Sequence, residues 1–232
     1  MEASGKTNVD EIYYRDGMKR SMAMRTLVAA RRSMFELFMK ELAPGPATTV
    51  VDIGVSDDEN EGANYLEKQY PWPRNIICAG IGDGELVRRA YPDISFVRIE
   101  PGHSLPFEND RFDIACSNAV IEHVGGAAQR QAFIAEHLRI AKTAFITFPN
   151  RWFPIEHHTG IPILHYIPSL FRKALKGTKY SYWADPEQMD FLDARTVLRD
   201  WPPGLPRPTR IVTTGLPLGP LSSNIAVICK RA

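Results

Sequence analysis

The sequence lacks the biases in charge and cysteine content that mark several protein classes. Its 28 basic and 27 acidic residues leave a net charge of +1, so no overall excess of charge favours binding to nucleic acid. Its three cysteines lie inside apolar runs, and no Cys-x-x-Cys spacing indicates a metal or redox site. This cysteine usage predicts a reducing, cytoplasmic environment.

Long hydrophobic runs are also missing. No apolar stretch approaches the roughly 20 residues that a membrane-spanning helix needs. The polar segment at residues 1–17 has no hydrophobic signal region. We therefore expect no integral membrane association. The hydrophobic fraction of 44% and the length of 232 residues instead predict one globular domain, residues 1–232.

Apolar runs of strand length alternate with helical segments from residue 48 onwards. Five of these runs are apolar on both faces and predict parallel strands covered by helices on both sides. The last two are separated by little more than a loop and predict an antiparallel hairpin. The predicted fold is α/β: a doubly wound, seven-stranded sheet, parallel with one antiparallel edge strand, in a three-layer αβα arrangement. The seven runs are 48–54, 75–81, 94–100, 112–119, 143–149, 209–215 and 223–231.

Two segments extend this repeating pattern. Residues 18–42 repeat apolar side chains at helical spacing and are followed by Pro44-Gly45-Pro46, so we predict an N-terminal helical extension over residues 1–46. Residues 150–200 follow the fifth strand and begin with a stretch dense in aromatic residues, prolines and histidines. We predict that this segment, called the cap below, is a small substrate-side insertion, with a helix over residues 185–200.

Glycine is scarce where a nucleotide-binding α/β fold usually needs it. After the first strand, "VVDIGVSDDEN" (50–60) keeps Asp52 and Gly54 but supplies no further glycine, and residues 57–59 are all acidic. Ligands of doubly wound folds bind at the carboxyl ends of the strands, where the strand order reverses. Asp52 and Gly54 are therefore candidate ligand-binding residues in an unusual turn.

Two later blocks resemble a known family. "LPFENDRFDIACSNAVIEHV" (105–124) and "FITFPNRWFPIEHHTGIPILHYIP" (145–168) are similar, in this order, to class I S-adenosylmethionine-dependent methyltransferases of the type 11 small-molecule branch. The likeness covers most of residues 48–168, with a divergent, glycine-poor first motif. It implies a Rossmann-like fold, S-adenosyl-L-methionine as cofactor, and methyl transfer to a small-molecule, glycan or lipid-intermediate acceptor, with oxygen as the expected acceptor atom.

The resemblance also implies positions for cofactor binding. Asp83 would accept the ribose hydroxyls and Glu100 the adenine amino group, whereas Asn118 and Ala119 would lie under the methionine part. A second interpretation of Asp83 stays open, because an aspartate just before a helix that begins near Gly84 commonly caps that helix. The complete set implied is Asp52, Gly54, Asp83, Glu100, Asn118 and Ala119.

The cap holds the densest set of chemically active side chains. An acceptor hydroxyl must lose a proton, and a histidine oriented by a carboxylate can take it. We predict His158 as this base and Glu156 as its partner, because His158 matches the His-Thr-Gly segment of the resembled block. Two alternatives stay open: the histidines bond to backbone in a lid, or they bind a metal ion. Since their spacing matches no helix-face ligand pair, we predict no metal site.

Two other functional classes stay open. A methyltransferase-like fold that no longer catalyses would act as a binding or scaffold protein, and the glycine-poor turn favours this alternative. Nucleic-acid modification is disfavoured by the neutral charge and by "NAVIEH" (118–123), which lacks the Asn/Asp-Pro-Pro-Tyr/Phe pattern. We therefore expect a small-molecule acceptor and no nucleic-acid partner, and no oligomeric state follows from the sequence.

Overall fold

The protein is described by a computed structural model that covers residues 22–58 and 61–231. All seven predicted strands are present, with shifted ends. The strands are β1 (Val50–Ile53), β2 (Ile76–Gly80), β3 (Ser95–Arg98), β4 (Phe112–Asn118), β5 (Ala141–Pro149), β6 (Arg210–Leu218) and β7 (Leu221–Lys230). The α-helices are α1 (Met22–Leu42), α2 (Tyr65–Gln69), α3 (Glu85–Ala90), α4 (Ala127–Ile140), α5 (Pro168–Leu175) and α6 (Ala194–Arg199).

The strands form one sheet with the order β3-β2-β1-β4-β5-β7-β6. β1 pairs in parallel with β2 on one side and β4 on the other, which places Asp52 between Cys78 and Cys116. The strand order reverses here, so a ligand crevice is expected at this point. β7 runs antiparallel to both β5 and β6. The predicted doubly wound sheet and its antiparallel edge hairpin are confirmed, and the one antiparallel strand, β7, lies just inside the edge strand β6.

Side chains of the central strands alternate between two buried faces. In β5, Phe145 packs in a hydrophobic cluster with Phe38 of α1. Its neighbours Ile146 and Phe148 belong to the opposite cluster, together with Ile134 of α4. Burial of each such side chain contributes about 1.5–3 kcal/mol. This two-sided burial explains why the strands read as continuous apolar runs in the sequence, and it produces the three-layer arrangement.

The helix α1 covers the face of the sheet above β6 and β7. Ser33 fixes it there, because its Oγ lies 3.2 Å from Thr214 Oγ1 and accepts a hydrogen bond from the backbone of Gly215. The remainder of the predicted N-terminal extension, residues 1–21, lies outside the described residues. None of the described helices is long and apolar enough to cross a membrane.

The cap packs around a small hydrophobic cluster of its own. Phe171 and Leu175 of α5 contribute to it, together with Trp183 and Met189. The helix expected over residues 185–200 is shorter than predicted, since α6 begins at Ala194. The reason is local: Asp193 Oδ1 accepts the N–H of Thr196 at 2.7 Å and fixes the first turn.

A buried arginine joins α4 to the cap. Arg130 is 3% exposed. Its Nε and Nη2 donate to Asp200 Oδ2 at 3.0 and 2.7 Å. Its Nη1 donates to Asp190 Oδ2 at 3.0 Å and to the carbonyl of Gly125 at 2.7 Å. The guanidinium thus holds the segment before α4 and two positions of the cap together.

Candidate functional site

A crevice lies at the carboxyl ends of β1 and β4, beneath α1. Its walls include Asp52 and Gly54 after β1, Asn118 at the end of β4, and Arg31 and Phe35 of α1. The structure therefore brings three of the six residues predicted for cofactor binding into one crevice, at the point where the strand order reverses.

Gly54 makes the sharp turn that follows β1. Its φ of +89° is a conformation that L side chains rarely adopt, and an added Cβ would lie 2.4 Å from a methyl group of Val120. Its backbone N–H donates to the carbonyl of Ala79 at 2.7 Å. The turn thus lies against the end of β2 and the segment after β4, and glycine is required at this position although the later glycines of the pattern are missing.

The acidic residue Asp57 does not line the crevice. Its Oδ1 accepts the backbone N–H groups of Leu86 and Val87 at 3.0 and 3.2 Å, and its Oδ2 accepts that of Gly84 at 3.2 Å. These bonds cap the N-terminus of α3, where a negative charge is favourable. The negative charge of Asp57, which would oppose an anionic ligand in the crevice, thus stabilises the start of α3 instead. Glu59, which raised the same question, lies outside the described residues.

Asp83 and Glu100 are placed away from the walls of the crevice. Asp83 Oδ1 accepts the backbone N–H of Glu85 at 3.1 Å, and this bond lowers the pKa of the Asp83 carboxyl. It therefore takes part in the start of α3, which is the alternative interpretation from the sequence. Glu100 follows β3, and its side chain is 77% exposed, with His103 Nδ1 at 3.7 Å. The roles of both residues towards ribose and adenine stay predictions.

Asn118 and Ala119 form a tight turn at the end of β4. Thr147 Oγ1 donates to Asn118 Oδ1 at 2.8 Å, which fixes the orientation of the amide. The backbone N–H of Ala119 donates to the carbonyl of Thr147 at 2.9 Å, and its φ is +58°. The left-handed residue ends β4 abruptly and directs the chain towards Glu122 and His123.

Asp52 shares the floor of the crevice with a second carboxyl group. Burial, and then the nearby Glu67, raise the pKa of Asp52 well above its usual range. Burial also raises the pKa of Glu67, whose Oε1 accepts a hydrogen bond from Cys78 Sγ at 3.2 Å. The two carboxyl groups lie close enough to act on each other electrostatically. Two adjacent buried carboxylates cannot both ionise cheaply, so one proton is held between them.

This shared proton makes stability depend on pH. Because both pKa values are raised on folding, the pair favours the folded state at low pH. That contribution is lost as pH rises through the folded pKa values, by up to about 1.4 kcal/mol per pH unit for one proton. We expect the free energy of unfolding of Glu67→Gln to increase relative to that of the wild type as the pH rises from about 5 to about 8. Urea unfolding measures this, with the exposed Glu36→Gln as control. If the difference in unfolding free energy between Glu67→Gln and the wild type varies as little with pH as it does for the control, the shared proton is contradicted.

Arg31 of α1 contributes a positive charge to the crevice. Its Nε is buried and has no hydrogen-bond partner among the described residues. Its Nη1 lies 3.5 Å from the carbonyl oxygen of Asn118, a marginal hydrogen bond. The guanidinium acts electrostatically on Asp52 and also on His158. Arg31 therefore lies between the crevice and the histidine cluster, with donors available for an anionic group.

Glu156 and His158, the predicted catalytic pair, lie together in the cap. His158 Nδ1 is 2.8 Å from Glu156 Oε1, and Glu156 Oε2 accepts from the backbone and hydroxyl of Thr159 at 2.8 and 2.7 Å. Burial acts to raise the pKa of Glu156, but the charge of His158 and these bonds outweigh it and hold that pKa at about 2. Burial acts to lower the pKa of His158, and the Glu156 carboxylate outweighs it and raises that pKa.

The other ring nitrogen of His158 faces the end of β4. Its Nε2 is 3.1 Å from Nε2 of His123, whose Nδ1 is 2.8 Å from the carbonyl oxygen of Gln188. Burial, and then the charge of His158, lower the pKa of His123 to about 3. Burial raises the pKa of the neighbouring Glu122 to about 7. Ligand atoms of Glu122, His123 and His158 all lie within 4.8 Å of one another and could hold a metal ion.

The remaining two histidines of the cap bond to backbone. His157 Nε2 lies 3.1 Å from the carbonyl oxygen of Ser223. His165 Nε2 lies 3.0 Å from the carbonyl oxygens of both Arg151 and Phe153. These are the contacts expected of lid histidines, so the structural alternative describes His157 and His165, and the pairing with a carboxylate distinguishes His158.

Sequence reasoning missed four contributors to the site. Arg31 carries no signal of a role in the site, because nothing local in the sequence shows which side of α1 meets the sheet. Glu67 lies within a short helix whose register depends on the turn after β1. Glu122 and His123 were noted after β4 but given no partner, since His158 lies 35 positions further along the chain. Only the "IEH" segment itself could have signalled a polar cluster at the carboxyl end of β4.

The comparisons agree with this geometry. Residues 59–144 match the family model described as a methyltransferase domain. No curated protein matches the chain. Among solved structures, a protein from Pyrococcus horikoshii aligns with a TM-score of 0.59 and 12% identity over 96% of each chain.

Two further structures share the fold. A SAM-dependent methyltransferase from Thermotoga maritima, described as a possible histamine N-methyltransferase, has a TM-score of 0.58 and 12% identity, covering 96% of this chain and 99% of its own. A SAM-dependent methyltransferase from Aquifex aeolicus has a TM-score of 0.53 and 16% identity, covering 87% of this chain and 92% of its own. At these identities the structures establish the fold, and the family model adds a methyltransferase-domain match over residues 59–144. The shared fold and the family-model match over residues 59–144 together support a class I S-adenosylmethionine-dependent methyltransferase, with S-adenosyl-L-methionine as its cofactor.

Proposed function

We propose that the enzyme methylates an oxygen atom of a small-molecule, glycan or lipid-intermediate acceptor, and that Glu156 and His158 promote loss of the proton from that oxygen. The observation that carries this proposal is the buried Glu156–His158 pair, which lies beside His123 near the end of β4. An alcohol is a weak acid, so its oxygen needs such help before it can act as a nucleophile.

The crevice fits the cofactor. Gly54 lets the backbone make its turn without a side chain, Asn118 forms the floor, and the Asp57 carboxylate is engaged at α3. Arg31, with its buried and unpartnered Nε, would bind the methionine carboxylate in place of the missing glycine-rich turn. Asp52, together with Glu67, would face the positive ammonium or sulfonium group. When bound, S-adenosylmethionine supplies a methyl group whose bond to sulfur breaks as the bond to the acceptor oxygen forms.

The remaining predicted contacts complete this proposal. Ala119 would shape the crevice floor through its left-handed turn, while Asp83 and Glu100 would reach the ribose and the adenine at the rim. Both acids lie outside the crevice walls described above, so they would act on the parts of the cofactor that extend beyond it. The protein's own task is to hold donor and acceptor in line, which can contribute about 7–11 kcal/mol in well-aligned cases.

Exposed apolar side chains on the cap favour an acceptor with an apolar portion. Trp152 and Ile155, which precede the catalytic pair in sequence, are 47% and 48% exposed. Ile163, Ile167 and Leu170, further along the cap, are 61%, 57% and 47% exposed. Large apolar side chains that are exposed together commonly mark a binding surface. Within the proposed acceptor classes, this surface supports a lipid-linked intermediate.

The test is a methyl-transfer assay with isotopically labelled S-adenosylmethionine and matched acceptor pairs. Each pair has one hydroxyl compound and the corresponding amine, with and without an alkyl chain. We expect label in the hydroxyl compounds only, with faster transfer to the alkylated member. Transfer to amines alone would overturn oxygen as the acceptor atom. Equal rates with and without the alkyl chain would remove the lipid-linked preference.

A further inference from the structure

We propose that Glu122, His123 and His158 form a binding site for a divalent transition-metal ion, with Zn²⁺ as the best match to the donor set. The site deepens the proposed function, because it would act at the acceptor oxygen. It differs from the histidine set considered from the sequence, since two of its ligands follow β4 and one comes from the cap. The fold brings these residues together across 35 positions of the chain.

The tautomers of the two histidines are the first argument. His123 Nδ1 lies 2.8 Å from the carbonyl oxygen of Gln188, which only accepts hydrogen bonds, so this nitrogen carries a proton. His158 Nδ1 likewise lies 2.8 Å from a carboxylate oxygen of Glu156. The two Nε2 atoms face each other at 3.1 Å, so either one ring carries a second proton and donates to the other, or both nitrogens bind a cation. A charged His158 supplies that proton in the absence of metal, and a metal ion would take the place of the proton.

The carboxylate of Glu122 is the second argument. Its side chain is 2% exposed, and neither oxygen has a hydrogen-bond partner among the described residues. One oxygen lies 3.8 Å from His123 Nε2. A buried carboxyl group with both oxygens unsatisfied is costly, by about 1–3 kcal/mol or more. A metal ion held by this carboxylate and the two imidazoles would compensate the unsatisfied oxygens of Glu122.

The geometry and the surroundings match a metal centre. Two nitrogens bound tetrahedrally at 2.0–2.1 Å lie about 3.3 Å apart, close to the observed 3.1 Å. Metal-binding histidines usually donate their other N–H to a carboxylate or a backbone carbonyl, and Glu156 and Gln188 are these two partners. Two histidines and a glutamate leave a fourth position, as in catalytic zinc sites. An acceptor hydroxyl bound there would have its pKa lowered and would release its proton to solvent.

Metal binding is measured on the full chain without cofactor or acceptor. The protein is stripped with a chelator, dialysed, and titrated with Zn²⁺ against a chromophoric competitor, and with Co²⁺ by visible absorption and tryptophan fluorescence. Trp183 is a natural reporter, because its ring lies 4.5 Å from that of His158. We expect one ion per chain. His123→Ala and Glu122→Gln should weaken binding by about 100-fold or more, and Glu156→Gln by about 10–100-fold.

The control is His157→Gln, which changes an adjacent histidine outside the cluster and should leave the affinity unchanged. Circular dichroism of every variant confirms that it is folded. The proposal would be overturned if the folded wild type did not bind Zn²⁺ stoichiometrically. It would also be overturned if the His123→Ala and Glu122→Gln variants bound Zn²⁺ with the affinity of the wild type. Metal binding without methylation of any hydroxyl compound would leave the site standing and reject the proposed function. Methylation of a hydroxyl compound that persists with a chelator, by a protein that binds no ion, would support the proposed function and reject the metal site.

Discussion

Replacing Arg130 by alanine should lower the free energy of unfolding by about 3 kcal/mol, within the range of about 3–5 kcal/mol measured when one partner of a buried ion pair is removed. The side chains of Arg130 and Asp200 are both only 4% exposed, so the variant leaves a buried carboxylate without its main partner. The lower end of the range is expected, because Arg199 Nε still contacts Asp200 Oδ1 at 2.9 Å. Urea unfolding followed by fluorescence measures the change.

Two matched variants separate this effect from a general loss of charge. Arg32→Ala removes an exposed pair with Glu36, whose side chains are 70% and 60% exposed, and should cost less than about 0.5 kcal/mol. Arg130→Met combined with Asp200→Leu removes both buried charges and should recover much of the loss, since apolar replacements of a buried pair are often neutral. A loss below about 1 kcal/mol for Arg130→Ala would mean that the network contributes little.

The fold could be predicted from the sequence because its signals are local. Both faces of β5 and β7 are buried, so these segments read as unbroken apolar runs, and proline or glycine marks many of the connections between elements. The start of α6 in the cap, which lies later than predicted, is also decided by a local contact. Residues 185–193 share a helical composition with α6, but the side chain of Asp193 caps the backbone of Thr196 and starts the helix there. A pattern alone does not show which aspartate makes that bond.

The candidate site was predictable only where its residues follow the strands directly. Asp52, Gly54 and Asn118 lie at strand ends, and the topology places them in one crevice. The glycine-poor turn looked unsuited to an anionic ligand, because the sequence does not reveal that Asp57 reaches the backbone of α3. A short loop can direct a side chain either into the crevice or away from it, and this choice is decided by contacts with β2 and α3.

Contacts between distant segments account for the rest of the site. Glu156 and His158 are close in sequence, and they were predicted as a pair because His158 matches the His-Thr-Gly segment of the resembled block. The approach of His158 to His123 requires that the cap fold back over the end of β4, and it depends on Trp183, which contacts both rings. Arg31 enters the crevice only because α1 is fixed to β6 through Ser33. Neither arrangement has a spacing in the sequence that would indicate it.

His158→Ala should reduce kcat by about 10²–10⁴-fold, the usual contribution of a group that assists proton loss in the transition state. The binding of S-adenosylhomocysteine should be unchanged, because the crevice between β1 and β4 does not include His158. Glu156→Gln should give a smaller loss in kcat. Glu156 is a positioning residue that acts through His158, and the glutamine keeps an oxygen within reach of Nδ1. Steady-state kinetics and calorimetry separate the two effects.

The matched control for this experiment is His157→Gln, the neighbouring histidine that bonds to the backbone of Ser223. Its kcat should stay within about twofold of the wild type, because its ring bonds to backbone and removal of a group outside the reacting set has little effect on the transition state. If His158→Ala and His157→Gln lose activity equally, the cap histidines act through the fold of the cap. If kcat falls in His158→Ala but not in His157→Gln, and cofactor affinity is unchanged in both, the chemistry depends on His158. Only a group acting in the transition state lowers kcat without weakening ground-state binding.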